Sequence, residues 1–111
     1  MKYALLIYGE KSHAARSEEE RTAFTQEYLA INGVPGVFGG AQLHPVAVST
    51  TVRVEDGQTL LTDGPFIEAK EYLGGFYLIE ADNLDAATEL AARIPAARIG
   101  GAVEVRPLVE R

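Results

Sequence analysis

Two stretches of this chain are apolar at nearly every position. Residues 3–8 read Tyr-Ala-Leu-Leu-Ile-Tyr, and residues 73–79 read Leu-Gly-Gly-Phe-Tyr-Leu-Ile. Side chains leave a strand on alternate sides, so a strand apolar throughout must be covered on both faces. Helices are the obvious cover, and the sequence offers two. Ser17-Glu18-Glu19-Glu20 reads as a capping box, with Phe24, Tyr28 and Ile31 following at helical spacing. Asn32-Gly33, with Pro35 behind, stops that helix. Asp82 or Asn83 caps the second helix, whose core face is Leu84, Ala87, Ala91 and Ile94 and which Pro95 ends. Two helices cover one face of a sheet. The other face needs cover from outside the domain.

The remaining elements set the topology. Residues 33–40 are glycine-rich and read as a loop into a short strand over 41–45 that Pro45 ends. Thr50–Glu55, Asp56-Gly57 and Gln58–Thr62 form the clearest hairpin, because Asp-Gly tolerates the positive φ angles of a two-residue type I′ turn. In that register Val52 faces Leu61 and Arg53 faces Leu60. Residues 96–101 read as a small-residue loop, and residues 102–109 as an alternating last strand with Val103 and Val105 on one side. The order describes one domain over residues 1–111 of the α+β class, a ferredoxin-like βαββαβ arrangement with an inserted hairpin. The uncovered sheet face is most economically buried by the same face of a second copy, which makes the expected molecule a homodimer and a dimeric α+β barrel.

Composition excludes several functions. Sixteen acidic residues against ten basic ones give a net charge of −6, and no basic patch interleaved with aromatics is present to displace counterions, so nucleic acid is not an expected partner. No apolar run approaches the roughly 18 residues of a membrane span, and the first residues lack the long apolar core of a signal peptide, so the expected location is cytoplasmic. The absence of Cys fits a reducing compartment and removes thiolate chemistry. The only histidines are His13 and His44, which match no common metal site. The paired glycines at 39–40, 74–75 and 100–101 follow no phosphate-binding pattern. Neither a metal nor a cofactor is expected.

Chemistry concentrates around Asp63-Gly64-Pro65-Phe66. A carboxylate at a strand end, beside backbone shaped by Gly and Pro, is held in a fixed direction. Asp63 is the candidate general base, and the competing reading is an Asx turn that only holds the bend. His44, just before Pro45, would complete an acid–base pair if the fold brought it to Asp63. The competing reading is a solvated strand-end side chain. Arg53 would anchor an anionic substrate group through its forked donors, or else form a surface ion pair. Phe66, Glu68 and Lys70 complete the candidate substrate-binding set, with the charged pair forming a lip over a cleft or a solvated turn.

Asp63-Gly64-Pro65-Phe66, followed by Glu68, Lys70-Glu71 and Gly74-Gly75-Phe76, resembles the DGPF group of YCII-related proteins. So do Met1-Lys2-Tyr3, Thr51-Val52-Arg53 and Glu104-Val105-Arg106-Pro107. The resemblance spans essentially the whole chain and keeps the family's order. It implies a dimeric ferredoxin-like barrel with a cleft near the DGPF turn. The family is mostly of unknown function. A His–Asp pair has been suggested as catalytic in it, one branch resembles a dehydrochlorinating enzyme, and some DGPF members are thought to sit beside sigma factors. The motif places neither histidine of this chain. Two functions remain open: a cofactor-independent enzyme doing acid–base elimination or isomerisation on a small polar molecule, or a non-catalytic metabolite- or protein-binding dimer with a regulatory role.

Overall fold

In the computed structural model, residues 1–10, 17–67 and 71–111 are described. His13, Glu68 and Lys70 lie outside them. Strand β1 (Lys2–Glu10) is followed by helix α1 (Glu18–Ile31), strand β2 (Val37–Gln42), the hairpin β3 (Thr50–Glu55) and β4 (Gln58–Asp63), strand β5 (Glu71–Glu80), helix α2 (Leu84–Ala92) and strand β6 (Ala102–Pro107). Four strands form one antiparallel sheet in the order β2-β5-β1-β6, and β3-β4 form a separate two-stranded sheet. With the hairpin set aside, this is the ferredoxin-like arrangement that the element order implies.

Both helices begin as their sequences dictate. The Ser17 hydroxyl accepts from the Glu20 N–H at 3.2 Å, and the Asn83 side chain accepts from the Ala86 N–H at 2.9 Å. Each such cap contributes about 1 kcal/mol. The sheet face toward the helices carries Tyr3, Leu5 and Ile7 of β1 with Tyr77 and Ile79 of β5, packed on Ile31, Ala87, Ala91 and Ile94. Burying one such large aliphatic side chain stabilises the fold by about 1.5–3 kcal/mol. Tyrosine hydroxyls fasten the layers. Tyr77 donates to the Tyr28 carbonyl at 2.6 Å, and the Tyr28 hydroxyl accepts from the Ala96 N–H at 3.2 Å. Burial pushes the Tyr77 phenol up to about 12, with the neighbouring Tyr28 adding to it.

Among the described residues, no helix lies on the opposite sheet face. Ala4, Leu6 and Tyr8 on β1 share it with Phe76 and Leu78 on β5, and Glu104 pairs with Arg106 along the β6 edge. Leu6, Tyr8, Phe76 and Leu78 are only partly buried.

Three local expectations need correction. The strand placed at 41–45 runs instead over Val37–Gln42, so Gly39 and Gly40 lie inside it. Their absent side chains are what the strand needs, because a Cβ on Gly40 would sit 2.4 Å from the Phe76 carbonyl oxygen. Leu84, assigned to the core face of α2, is 54% exposed at the first turn. The stretch 96–101, read as a loop, begins within a 3₁₀ turn over Pro95–Arg98 that seats Pro95 and Ala96 in the core.

Candidate functional site

The candidate residues cluster on and beside the hairpin, and the backbone there follows directly from sequence. Asp56 and Gly57 adopt φ of 50° and 78°, the left-handed pair that a type I′ turn requires. Six rungs then run from Glu55↔Gln58 to Thr50↔Asp63. Partners across a rung point to the same side, so the hairpin has two distinct faces. One carries Arg53 opposite Leu60, flanked by Thr51, Thr62, Glu55 and Gln58. The other carries Val52 opposite Leu61, then Val54 and Thr59 toward the tip, with Thr50 and Asp63 at the base.

This parity divides the candidates. The Arg53 guanidinium lies 5.3 Å from the centroid of the Phe66 ring and 3.7 Å from the Glu55 carboxylate. Stacking on an exposed ring contributes about 0.5–1 kcal/mol and leaves guanidinium N–H groups directed outward. Arg53 and Phe66 are therefore together. Asp63 projects from the opposite face, in line with Leu61 and Val52.

Other groups hold the turn after Asp63. The Gly64 N–H donates to the Ser49 carbonyl at 2.7 Å, and the Thr51 hydroxyl donates to the Gly64 carbonyl at 2.8 Å. Gly64 has a φ of 99° with open space around it, so the backbone angle rather than crowding calls for glycine. Thr51 was not singled out from sequence as a clasp for this turn. Its position on the Arg53 face of a predicted hairpin was the available signal. The Asp63 carboxylate is exposed.

His44 is also exposed, in the connection between β2 and the 3₁₀ turn Val46–Val48. Among the described residues no hydrogen bond or ion pair joins His44 to Asp63. Of the tyrosines in β5, Tyr77 belongs to the core and Tyr72 is partly buried. Among the shallow depressions lined by described residues, one runs along α1 at Glu18, Thr22 and Gln26 and another lies between Val34, Glu80, Asp82 and Arg93. Neither contains Asp63, His44, Arg53 or Phe66. Among the described residues no group of three His, Asp or Glu side chains is placed to hold a metal ion. None of the described helices is long and apolar enough to cross a membrane.

The profile of the YCII-related domain matches residues 1–111. The chain is also similar to an uncharacterised protein of Rhizobium meliloti (strain 1021), at 37% identity over 117 residues, which is 97% of this chain and 92% of that protein.

Proposed function

The chain belongs to the YCII-related family, and from that premise we propose that it works as a homodimer that binds a small polar or anionic molecule and moves a proton on it through Asp63, without a cofactor. One observation carries the reading. The carboxylate of Asp63 is exposed on a fixed strand end while Thr51 and Ser49 do the structural work of the turn. A side chain freed from that duty is available as a general base. Elimination or isomerisation is the reaction class that a single positioned base supports. Arg53, backed by Phe66, offers a forked cation to an anionic group on the hairpin face opposite Asp63, outside the reach of that carboxylate in one subunit. The second copy covers the helix-free sheet face, with Leu6, Phe76 and Leu78 at its centre.

A non-catalytic binding dimer is the second reading. It is favoured by the lack of a bond between His44 and Asp63 and by the placement of Arg53 and Asp63 on opposite faces. A thermal-shift screen of small organic acids, with wild type and Asp63→Asn in parallel, separates the two. Binding to the native state raises Tm with ligand concentration. A compound that stabilises wild type but not a folded Asp63→Asn places the site at Asp63, and turnover of that compound by wild type alone makes the protein an enzyme. A compound that stabilises both equally, with no turnover, leaves the binding dimer. A fall in the mutant's own Tm, with no compound acting on wild type, returns Asp63 to a turn role.

A further inference from the structure

The hairpin is amphipathic, and its apolar side is open. Val52, Val54 and Leu61 are 59%, 66% and 68% exposed beside Thr50, Thr59 and Asp63, while the reverse side presents Thr51, Arg53, Glu55, Gln58 and Thr62 around a single leucine, Leu60. Alternation of this kind is the mark of a strand pair with one face buried. An isolated two-stranded hairpin is also marginal in water unless something packs on it. Among the described residues, β3 and β4 pack extensively only on each other, and Val52, Val54 and Leu61 stay open. The hairpin instead widens the molecule. The Cα radius of gyration is 15.8 Å, against about 13 Å for a compact chain of this length.

We infer that the apolar face of the hairpin docks on a second copy of this chain, and that the cleft served by Asp63 is closed only there, between the two subunits. The inference rests on the dimer reading above and goes beyond it. The area needed for a stable pair points to a second copy as the occupant. The strands β1, β5, β2 and β6 have 9, 10, 6 and 6 residues. At about 4.8 Å between strands and about 3.3 Å per residue they offer a plane of about 500 Å². A standard interface buries about 800 Å² per partner, and charged Glu104 and Arg106 occupy one margin of this plane. The hairpin, six residues by two strands, adds about 200 Å² by the same measure. A two-fold axis uses each contacting surface twice, so docking of the arm would add its area in both copies.

Asp63 lies on the docking side, two positions from Leu61 and opposite Thr50. Docking therefore carries it to the partner, and neither of the two depressions described above includes it. Enclosing a carboxylate between subunits strips water from it and strengthens it as a base.

The test uses the full chain. Sedimentation equilibrium would compare wild type, the triple variant Val52→Thr/Val54→Thr/Leu61→Thr, and Leu60→Thr on the reverse face. Threonine keeps strand propensity, and circular dichroism checks the fold. The triple substitution should raise the dimer dissociation constant at least about 100-fold, since each loss is counted twice in a two-fold pair, while Leu60→Thr changes it less than about 3-fold. Equal affinities for all three proteins would overturn hairpin docking and leave the sheet-face dimer standing. A wild type that stays monomeric at about 100 µM would overturn the dimer itself and leave the arm open to a different protein. Because the chain has no Cys, thiols introduced singly by Leu61→Cys and Asp63→Cys supply a second readout. Each should react with a maleimide about 10-fold more slowly in the dimer than after dilution to monomer. Equal rates at Leu61→Cys would contradict docking, and equal rates at Asp63→Cys alone would contradict the shared cleft.

Discussion

The four-stranded sheet and the β3–β4 hairpin are built from similar residues and meet different fates. In the sheet, Leu5 and Ile79 are buried beneath two helices. In the hairpin, Val52, Val54 and Leu61 stand more than half exposed on a flat arm. Both are rich in strand-forming residues and both have good turn or cap chemistry, so local propensity does not separate them. What separates them is cover. The helix-facing side of the sheet gains its stability from tertiary burial within the chain. The hairpin relies on its ladder, its Asp56-Gly57 turn, the Thr51 and Ser49 bonds to Gly64 and the exposed stack of Arg53 on Phe66.

The largest expected contrast comes from truncating one leucine in each region. Leu5→Ala empties a fully buried site and should cost about 2–5 kcal/mol, whereas Leu61→Ala in dilute, monomeric protein should cost less than about 0.5 kcal/mol. Urea unfolding of both at low concentration measures the pair, and equal losses would break the comparison. A smaller effect belongs to the tyrosine clasp. Tyr77→Phe removes the bond to the Tyr28 carbonyl and should cost about 1–2 kcal/mol. The same hydroxyl gives the sheet an alkaline limit. Its pKa rises on folding from 10.0 to about 12, so the stability it adds is fully present below pH 10 and is lost as pH climbs through about 12. Melting curves between pH 9 and about 12 should fall more steeply for wild type than for Tyr77→Phe. Smallest of all is Thr51→Val, which deletes the hairpin clasp and should lower stability by about 0.5–1.5 kcal/mol, while loosening the turn that carries Asp63.

Most of the fold was legible because its signals are local. Ser17 and Asn83 cap helices where side chains of that kind precede an apolar stripe, and Asp56-Gly57 fixes the hairpin register to the residue. β2 escaped because Gly39 and Gly40 look like loop residues until β5 is placed beside them. Their role is to let the Phe76 backbone approach, which depends on a residue far along the chain. Leu84 and residues 96–98 were misplaced for the same reason, since helical spacing does not say where a neighbouring element stops. The site was legible only in part. The parity of β4 already puts Asp63 on the side of Leu61, away from Arg53, and that count could have been made from the register alone. Whether His44 reaches Asp63 depends on the path of residues 43–49, which no periodicity encodes.

Amide hydrogen exchange along the chain, recorded for one preparation at high and at low protein concentration, compares the two regions most directly. Protection of the core amides in β1 and β5 should be strong at both concentrations. Protection in β3 and β4 should be weak in dilute protein and rise by about 10-fold or more as the second copy covers the arm. Hairpin amides that exchange equally fast at both concentrations would contradict the view that another copy of this chain completes the fold.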